Sequence, residues 1–101
     1  MVAEILGPGE IAQRLSELDG WHGDVAGIVR SVEMPTFMTG IAAIDQVAQV
    51  AEELDHHPDI DIRWRTVTFT CSTHSAGGVT SRDFALAKRI DEIIKGLTGG
   101  N

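Results

Sequence analysis

Four histidines, His22, His56, His57 and His74, hold most of the near-neutral proton-transfer capacity of this 101-residue chain, which has no tyrosine and a single cysteine. Imidazole ordinarily titrates closest to neutral pH, so acid/base work at pH 7 falls to these four or to perturbed carboxylates. Three of them lie within nineteen positions. The run Glu52-Glu53-Leu54-Asp55-His56-His57-Pro58 gathers carboxylates and imidazoles where a helix should end, and the carbonyl end of a helix favours a protonated histidine. Adjacent histidines in extended backbone point in opposite directions, so one reaches into a pocket while the other braces it or lines its rim. Taken alone, His-His-Pro reads more plainly as a solvated helix end. Thr73-His74, ahead of Ser75-Ala76-Gly77-Gly78, sets a third imidazole on a flexible turn after a strand, where catalytic groups tend to sit. An exposed loop histidine is the equal alternative. Asp83 ends Thr80-Ser81-Arg82-Asp83, whose capping-box spacing assigns it by local rules to structure.

Other chemistries fit less well. His56, His57, His74 and Asp83 form the one credible metal-ligand set, but neighbouring histidines do not share a face as residues i and i+4 of a helix do. Gly77-Gly78 has neither the Gly-x-Gly-x-x-Gly pattern nor the lysine of a phosphate-cradling loop. Trp64 between Arg63 and Arg65 has the makings of a base-stacking platform, yet one aromatic on an acidic chain reads rather as core or interface.

The elements that must position these groups follow from periodicity. A helix starts near Gly7-Pro8, carries Ile11, Leu15 and Leu18, and ends at Gly20. Residues 21–35 read as two short strands joined by a glycine turn. Thr36 caps the surest helix, marked by Phe37, Ile41, Ile44, Val47, Ala51 and Leu54, which Pro58 forces to stop near Asp55 and His56. Its alanines at 42, 43, 48 and 51 allow close approach of a neighbour, while Gly40 weakens it. Ile60, Ile62 and Trp64 alternate on even positions and Val67, Phe69 and Cys71 on odd ones, so a bulge or bend falls at Arg65-Thr66. Thr80 opens a last helix facing the core with Phe84, Leu86, Ala87, Ile90, Ile93, Ile94 and Leu97, before a frayed Gly99-Gly100-Asn101 tail. The order α-β-β-α-β-β-α gives an α+β fold, a four-stranded antiparallel sheet with three helices on one face.

Composition bounds the rest. Residues 1–101 suit one domain, in which folding hides about 60–68% of the chain's surface, enough for one core and a shallow cleft. Nothing approaches the roughly 18 apolar residues of a membrane span, and Met1-Val2-Ala3-Glu4 lacks the look of an export signal, so the cytoplasm is the expected compartment. Cys71 alone makes no intrachain disulfide. Eight basic against fifteen acidic side chains, a net charge of −7, leave no cationic surplus for nucleic acid.

Glu52-x-x-x-His56-His57-Pro58, followed by Thr73-His74 and Gly78-Val79-Thr80-Ser81-Arg82-Asp83, resembles the pterin-4a-carbinolamine dehydratase family, also called 4a-hydroxytetrahydrobiopterin dehydratase. The resemblance covers nearly the whole chain in element order and residues 52–87 in motif. It implies dehydration of a 4a-hydroxytetrahydropterin to quinonoid dihydropterin, the recycling step after an aromatic amino acid hydroxylase. It further implies a homodimer or homotetramer that uses no metal or organic cofactor. By position, His56, His57 and His74 become the acid/base and pterin-contacting set, Asp83 a pocket carboxylate, Glu52 a support for His56, and Thr73 part of the same site. The roles expected are His74 as base near N5, His56 as acid at the hydroxyl, and His57 orienting the substrate. A near-neutral pterin is compatible with the acidic balance. Two departures bear on pterin stacking or subunit packing at the rim: Ile60 stands where many members have tryptophan, and Trp64 where tyrosine is more familiar. The same scaffold also implies an alternative, a non-catalytic interaction protein such as a transcription-factor dimerisation cofactor or a Rubisco assembly chaperone. Such a role needs none of the three histidines.

Overall fold

Pro8, whose missing amide hydrogen costs nothing in a first turn, begins helix α1 (Pro8–Leu15) in the computed structural model, which describes residues 4–99. The elements that follow are β1 (Trp21–Asp24), β2 (Gly27–Glu33), α2 (Phe37–Leu54), β3 (Asp59–Arg63), β4 (Thr66–Cys71) and α3 (Ser81–Thr98), with one 3₁₀ turn at His74–Ala76. The strands form one antiparallel sheet in the order β1-β2-β4-β3. This is the α+β architecture expected. The expectations for Met1 to Ala3 and for Gly100-Asn101 lie outside the described residues.

Two boundaries differ from the sequence reading. Helix α1 stops at Leu15 rather than continuing to Gly20, because the Ser16 hydroxyl bonds the Gln13 carbonyl and the chain closes into short turns through Glu17 and Leu18. Leu18 still packs on the core from this turn. The phase change at Arg65-Thr66 is a full reversal, not a bulge or bend: Trp64 and Arg65 form a two-residue turn between Arg63 and its partner Thr66. Trp64 takes the left-handed φ of 53° there and is 74% exposed, so it belongs to no core.

One face of the sheet packs against the helices, most tightly along β4. Val67, Phe69 and Cys71 of β4 are fully buried, with Val32, Arg30 and Ile28 of β2 opposite them and Ile62 and Ile60 of β3 on the other side. Ile28, Val67, Phe69 and Cys71, with Val32 and Ile62 packed on them, join one core with Ile11, Ala43, Val47, Leu86, Ile90 and Ile94 from all three helices, while Ile60 is exposed at the edge. The intervening residues Thr66, Thr68 and Thr70 face away and are partly exposed, which is the alternation of a sheet covered on one side. Gly40 does more than weaken α2. A Cβ there would lie 3.2 Å from Ile62 Cδ1 and 3.3 Å from Val67 Cγ2, so its absence lets the helix sit close on β3 and β4. Trp21 Nε1 (2.8 Å) and Arg30 Nη1 (2.6 Å) both donate to Asp91 Oδ1, tying the β1–β2 edge to α3.

Candidate active site

Helix α2 ends in a way that aims the histidine pair. Asp55 turns left-handed (φ 49°, ψ 47°), its amide bonds the Glu52 carbonyl, and the His56 amide folds back to the Ala51 carbonyl at 2.9 Å. This is the Schellman arrangement, which satisfies carbonyls a helix end leaves unpaired. Pro58 then keeps His57 extended. The backbone reversal turns the His56 ring inward, where it is 8% exposed, while His57 stays outside.

The start of α3 supplies the partner. Thr80 and Asp83 make the capping box that their spacing predicts, with the Thr80 amide donating to Asp83 Oδ2 at 2.9 Å. Asp83 is wholly buried, and two further donors converge on it. The Thr73 hydroxyl donates to Oδ2 at 2.8 Å, and His56 Nε2 lies 2.6 Å from Oδ1. The Thr80 hydroxyl, already accepting from the Arg82 amide, lies 2.8 Å from Thr73 Oγ1 and donates to it. A carboxylate accepting from three groups meets the condition for burying a charge. With Asp83 as acceptor, the His56 hydrogen sits on Nε2, which leaves Nδ1 as the nitrogen not engaged by Asp83. Asp83 is thus both cap and site residue.

His74 comes from the β4–α3 connection. The turn is closed by hydrogen bonds: Thr73 and Gly78 form a two-way backbone bridge at its base, and the Thr73 carbonyl also accepts from Ala76 and Gly77. Gly78 is required there, since a Cβ would lie 2.7 Å from the Val25 carbonyl oxygen. The outcome is a solvent-open cleft of about 330 Å³ whose lining includes Asp55, His56, His57, Thr73, His74 and Arg82. Asp83 stands directly behind it.

Five of the six residues expected at the site therefore converge: His56, His57, His74, Thr73 and Asp83. Glu52 does not support His56. Its carboxylate pairs with the ring of His57, which the left-handed turn at Asp55 leaves on the outside, and both members are exposed. Such a pair contributes about 0–1 kcal/mol, so it orients His57 more than it stabilises the fold. Arg82 was not singled out by spacing. It lines the cleft, and its contact runs to backbone carbonyls, which leave no sequence signature. His22 on β1 is not part of this cleft. Trp64 lies at the far end of the β3–β4 hairpin from Asp59 and Thr70, the pair nearest the cleft, so it cannot stack on a ligand held by these histidines. Among the described residues, no three His, Cys, Asp or Glu side chains are grouped to hold a metal ion.

Comparison with known proteins gives consistent matches. The family model described as pterin 4 alpha carbinolamine dehydratase matches residues 4–93. A Nocardia farcinica protein named "Putative pterin-4-alpha-carbinolamine dehydratase" is 52% identical over 95 residues, covering 94% of this chain and all of its own. A Roseiflexus castenholzii protein of the same name is 50% identical, covering 92% of this chain and all of its own. The crystal structure of a Brucella melitensis protein described as transcriptional coactivator/pterin dehydratase superposes with a TM-score of 0.84 at 35% identity, over 88% of this chain and 97% of that one. A pterin dehydratase-like protein described as a RuBisCO assembly factor in the alpha-carboxysome shares the fold, with a TM-score of 0.60 at 21% identity over 73% and 86% of the two chains.

Proposed function

The chain belongs to the pterin 4 alpha carbinolamine dehydratase family, and on that footing we propose that it is a hydro-lyase converting 4a-hydroxytetrahydrobiopterin, or a related 4a-hydroxytetrahydropterin, to the quinonoid dihydropterin in pterin recycling. The observation that carries this reading is the convergence of His56, His57 and His74 on one cleft, with Asp83 buried behind His56. The reaction breaks the C4a–O bond, removes the N5 proton and forms the C4a=N5 double bond, releasing water. His56 acts as the imidazolium, with its Nε2–H held by Asp83, and gives its second proton, on Nδ1, to the departing hydroxyl, leaving the neutral ring with its hydrogen on Nε2. The electron pair of the N5–H bond becomes the new π bond as His74 takes the N5 proton. Exchange with solvent at the open cleft then restores both rings. His57, steadied by Glu52, holds the pterin edge. Each positioned proton transfer is typically worth ~10² to ~10⁴ in rate.

Self-association as a homodimer or homotetramer in the cytoplasm is part of the same proposal. Its support is the exposed apolar surface of Phe37, Met38 and Ile41, close to the Trp64 turn, which Met34 holds by a 2.8 Å bond from its amide to the Arg65 carbonyl. No helix among the described residues is long and apolar enough to cross a membrane. A non-catalytic interaction role, suggested by the coactivator part of the Brucella protein's description, predicts no catalysis at all.

The deciding measurement is spectrophotometric dehydration of enzymatically generated 4a-hydroxytetrahydropterin, with wild type beside His56→Ala and His74→Ala. Acceleration by wild type and a drop of roughly 10²-fold or more in each variant is expected. Wild type matching the spontaneous rate removes the enzyme reading, whereas active variants remove only the assignment of roles.

A further inference from the structure

Arg82 lines the same cleft as the three histidines, yet the proton transfers make no use of it. Its Nη2 donates to the Asp55 carbonyl at 2.7 Å and lies 3.4 Å from the Leu54 carbonyl. These are among the last carbonyls of the α2 exit, which find no partner along the helix. A guanidinium there also faces the negative end of the α2 dipole. The neighbouring residue, Asp83, holds the His56 ring. The first turn of α3 therefore grips the exit of α2 twice, once on the imidazole and once on the backbone immediately before it.

That backbone needs a second anchor. Asp55 occupies a left-handed conformation uncommon for a residue other than glycine, and the directions of His56 and His57 depend on the turn it makes. The Asp83 bond fixes one ring nitrogen but leaves the peptide plane between Asp55 and His56 to be set by the Schellman bonds and by Arg82. We propose that Arg82 is a positioning residue, clamping the Leu54–Asp55 carbonyls so that the turn presents His56 and His57 to one cleft in a fixed geometry. Its catalytic consequence rests on the dehydratase reading; the clamp itself does not. A misplacement of about 1 Å in a reacting group can cost ~10² in rate, so loosening this turn acts on the chemical step.

The test compares wild type, Arg82→Gln and Arg82→Lys in dehydration of enzymatically generated 4a-hydroxytetrahydropterin. Arg82→Gln is expected to lower kcat by roughly 10- to 100-fold while KM stays within about threefold, the signature of a lost transition-state geometry. Arg82→Lys, which keeps a charged donor at the helix end, should recover most of kcat. A kcat within about twofold of wild type for Arg82→Gln overturns the proposal. So does a tenfold rise in KM at about unchanged kcat, which marks a substrate contact instead. A second arm needs no substrate. In the free protein, Arg82→Gln should speed amide exchange of His56 and shift the His56 and His57 ring resonances, leaving His22 unmoved; unchanged exchange and ring signals overturn the clamp. If wild type does not accelerate dehydration, the enzyme reading fails and this second arm alone decides the positioning role.

Discussion

Asp83 shows how one carboxylate serves folding and chemistry together. Its Oδ2 accepts the Thr80 amide and Thr73 hydroxyl, and its Oδ1 faces His56 Nε2, so three of its roughly four acceptor sites are filled by protein donors. Asp83→Asn places an amide group among donors, forcing one of them to be left unpaired or the His56 tautomer to switch. The expected outcome is a loss of at least ~10² in kcat, measured in the dehydration assay, together with a stability loss of about 1–3 kcal/mol by urea unfolding. Cys71 gives a pH prediction of opposite character. Burial first, then the nearby charges of Asp83, Asp59 and Asp91, push its thiol well above the ordinary range. The folded state therefore keeps the proton after the unfolded chain, with a thiol pKa of about 8.5, has begun to lose it. Stability from this residue is complete below that value and declines above it by up to about 1.4 kcal/mol per pH unit. Wild type should lose more stability than Cys71→Ala between pH 8.5 and 10 in urea unfolding. Equal slopes would show that the thiol titrates alike in both states.

The site is built by the ends of elements. Helix α2 delivers His56 and His57 at its C-terminus, α3 delivers Arg82 and Asp83 at its N-terminus, and the bridge between Thr73 and Gly78 fixes the turn that carries His74. Strands β3 and β4 bring these ends together because Asp59, just after Pro58, pairs with Thr70, just before Cys71. Gly78 is the tightest point of the arrangement. Gly78→Ala must displace either the Val25 carbonyl or the turn itself, since the close contact, at 2.7 Å, is with backbone. We expect a stability loss of about 1–3 kcal/mol by urea unfolding. A fall in kcat should accompany it in the dehydration assay, because His74 moves with the turn. A neutral result would mean that the β1–β2 turn at Val25 shifts freely.

Across the whole molecule, the two most exposed large apolar side chains, Trp64 and Met38, lie away from the chemistry, while Ile5 and Val25 are exposed beside the Gly77-Gly78 turn. Phe37 and Met38 begin the eighteen-residue helix α2, about 27 Å long, and the histidine pair follows its other end. Sedimentation should show a homo-oligomer, and Met38→Glu should weaken it without altering the folded core, as Met38 is 70% exposed. A monomer at assay concentrations would remove the self-association reading. The alanines that allow close approach of a neighbour are divided: Ala43 and Ala51 pack in the core, Ala48 is exposed and Ala42 is partly exposed. Local sequence determined the element order, the caps at Thr36 and Thr80, the stop before Pro58 and the identity of the histidines, because propensity, capping and periodicity act over a few residues. Strand alternation also showed that the chain changes phase after Trp64, but not that it turns back, since a two-residue reversal and a bulge shift the pattern alike. Tertiary structure alone decided that Glu52 meets His57 while Asp83 meets His56, and that Arg82 reaches the carbonyls of Leu54 and Asp55. Those contacts depend on which way each side chain turns at a helix end and on how two distant ends are brought together by the sheet, and neither is written in spacing along the chain.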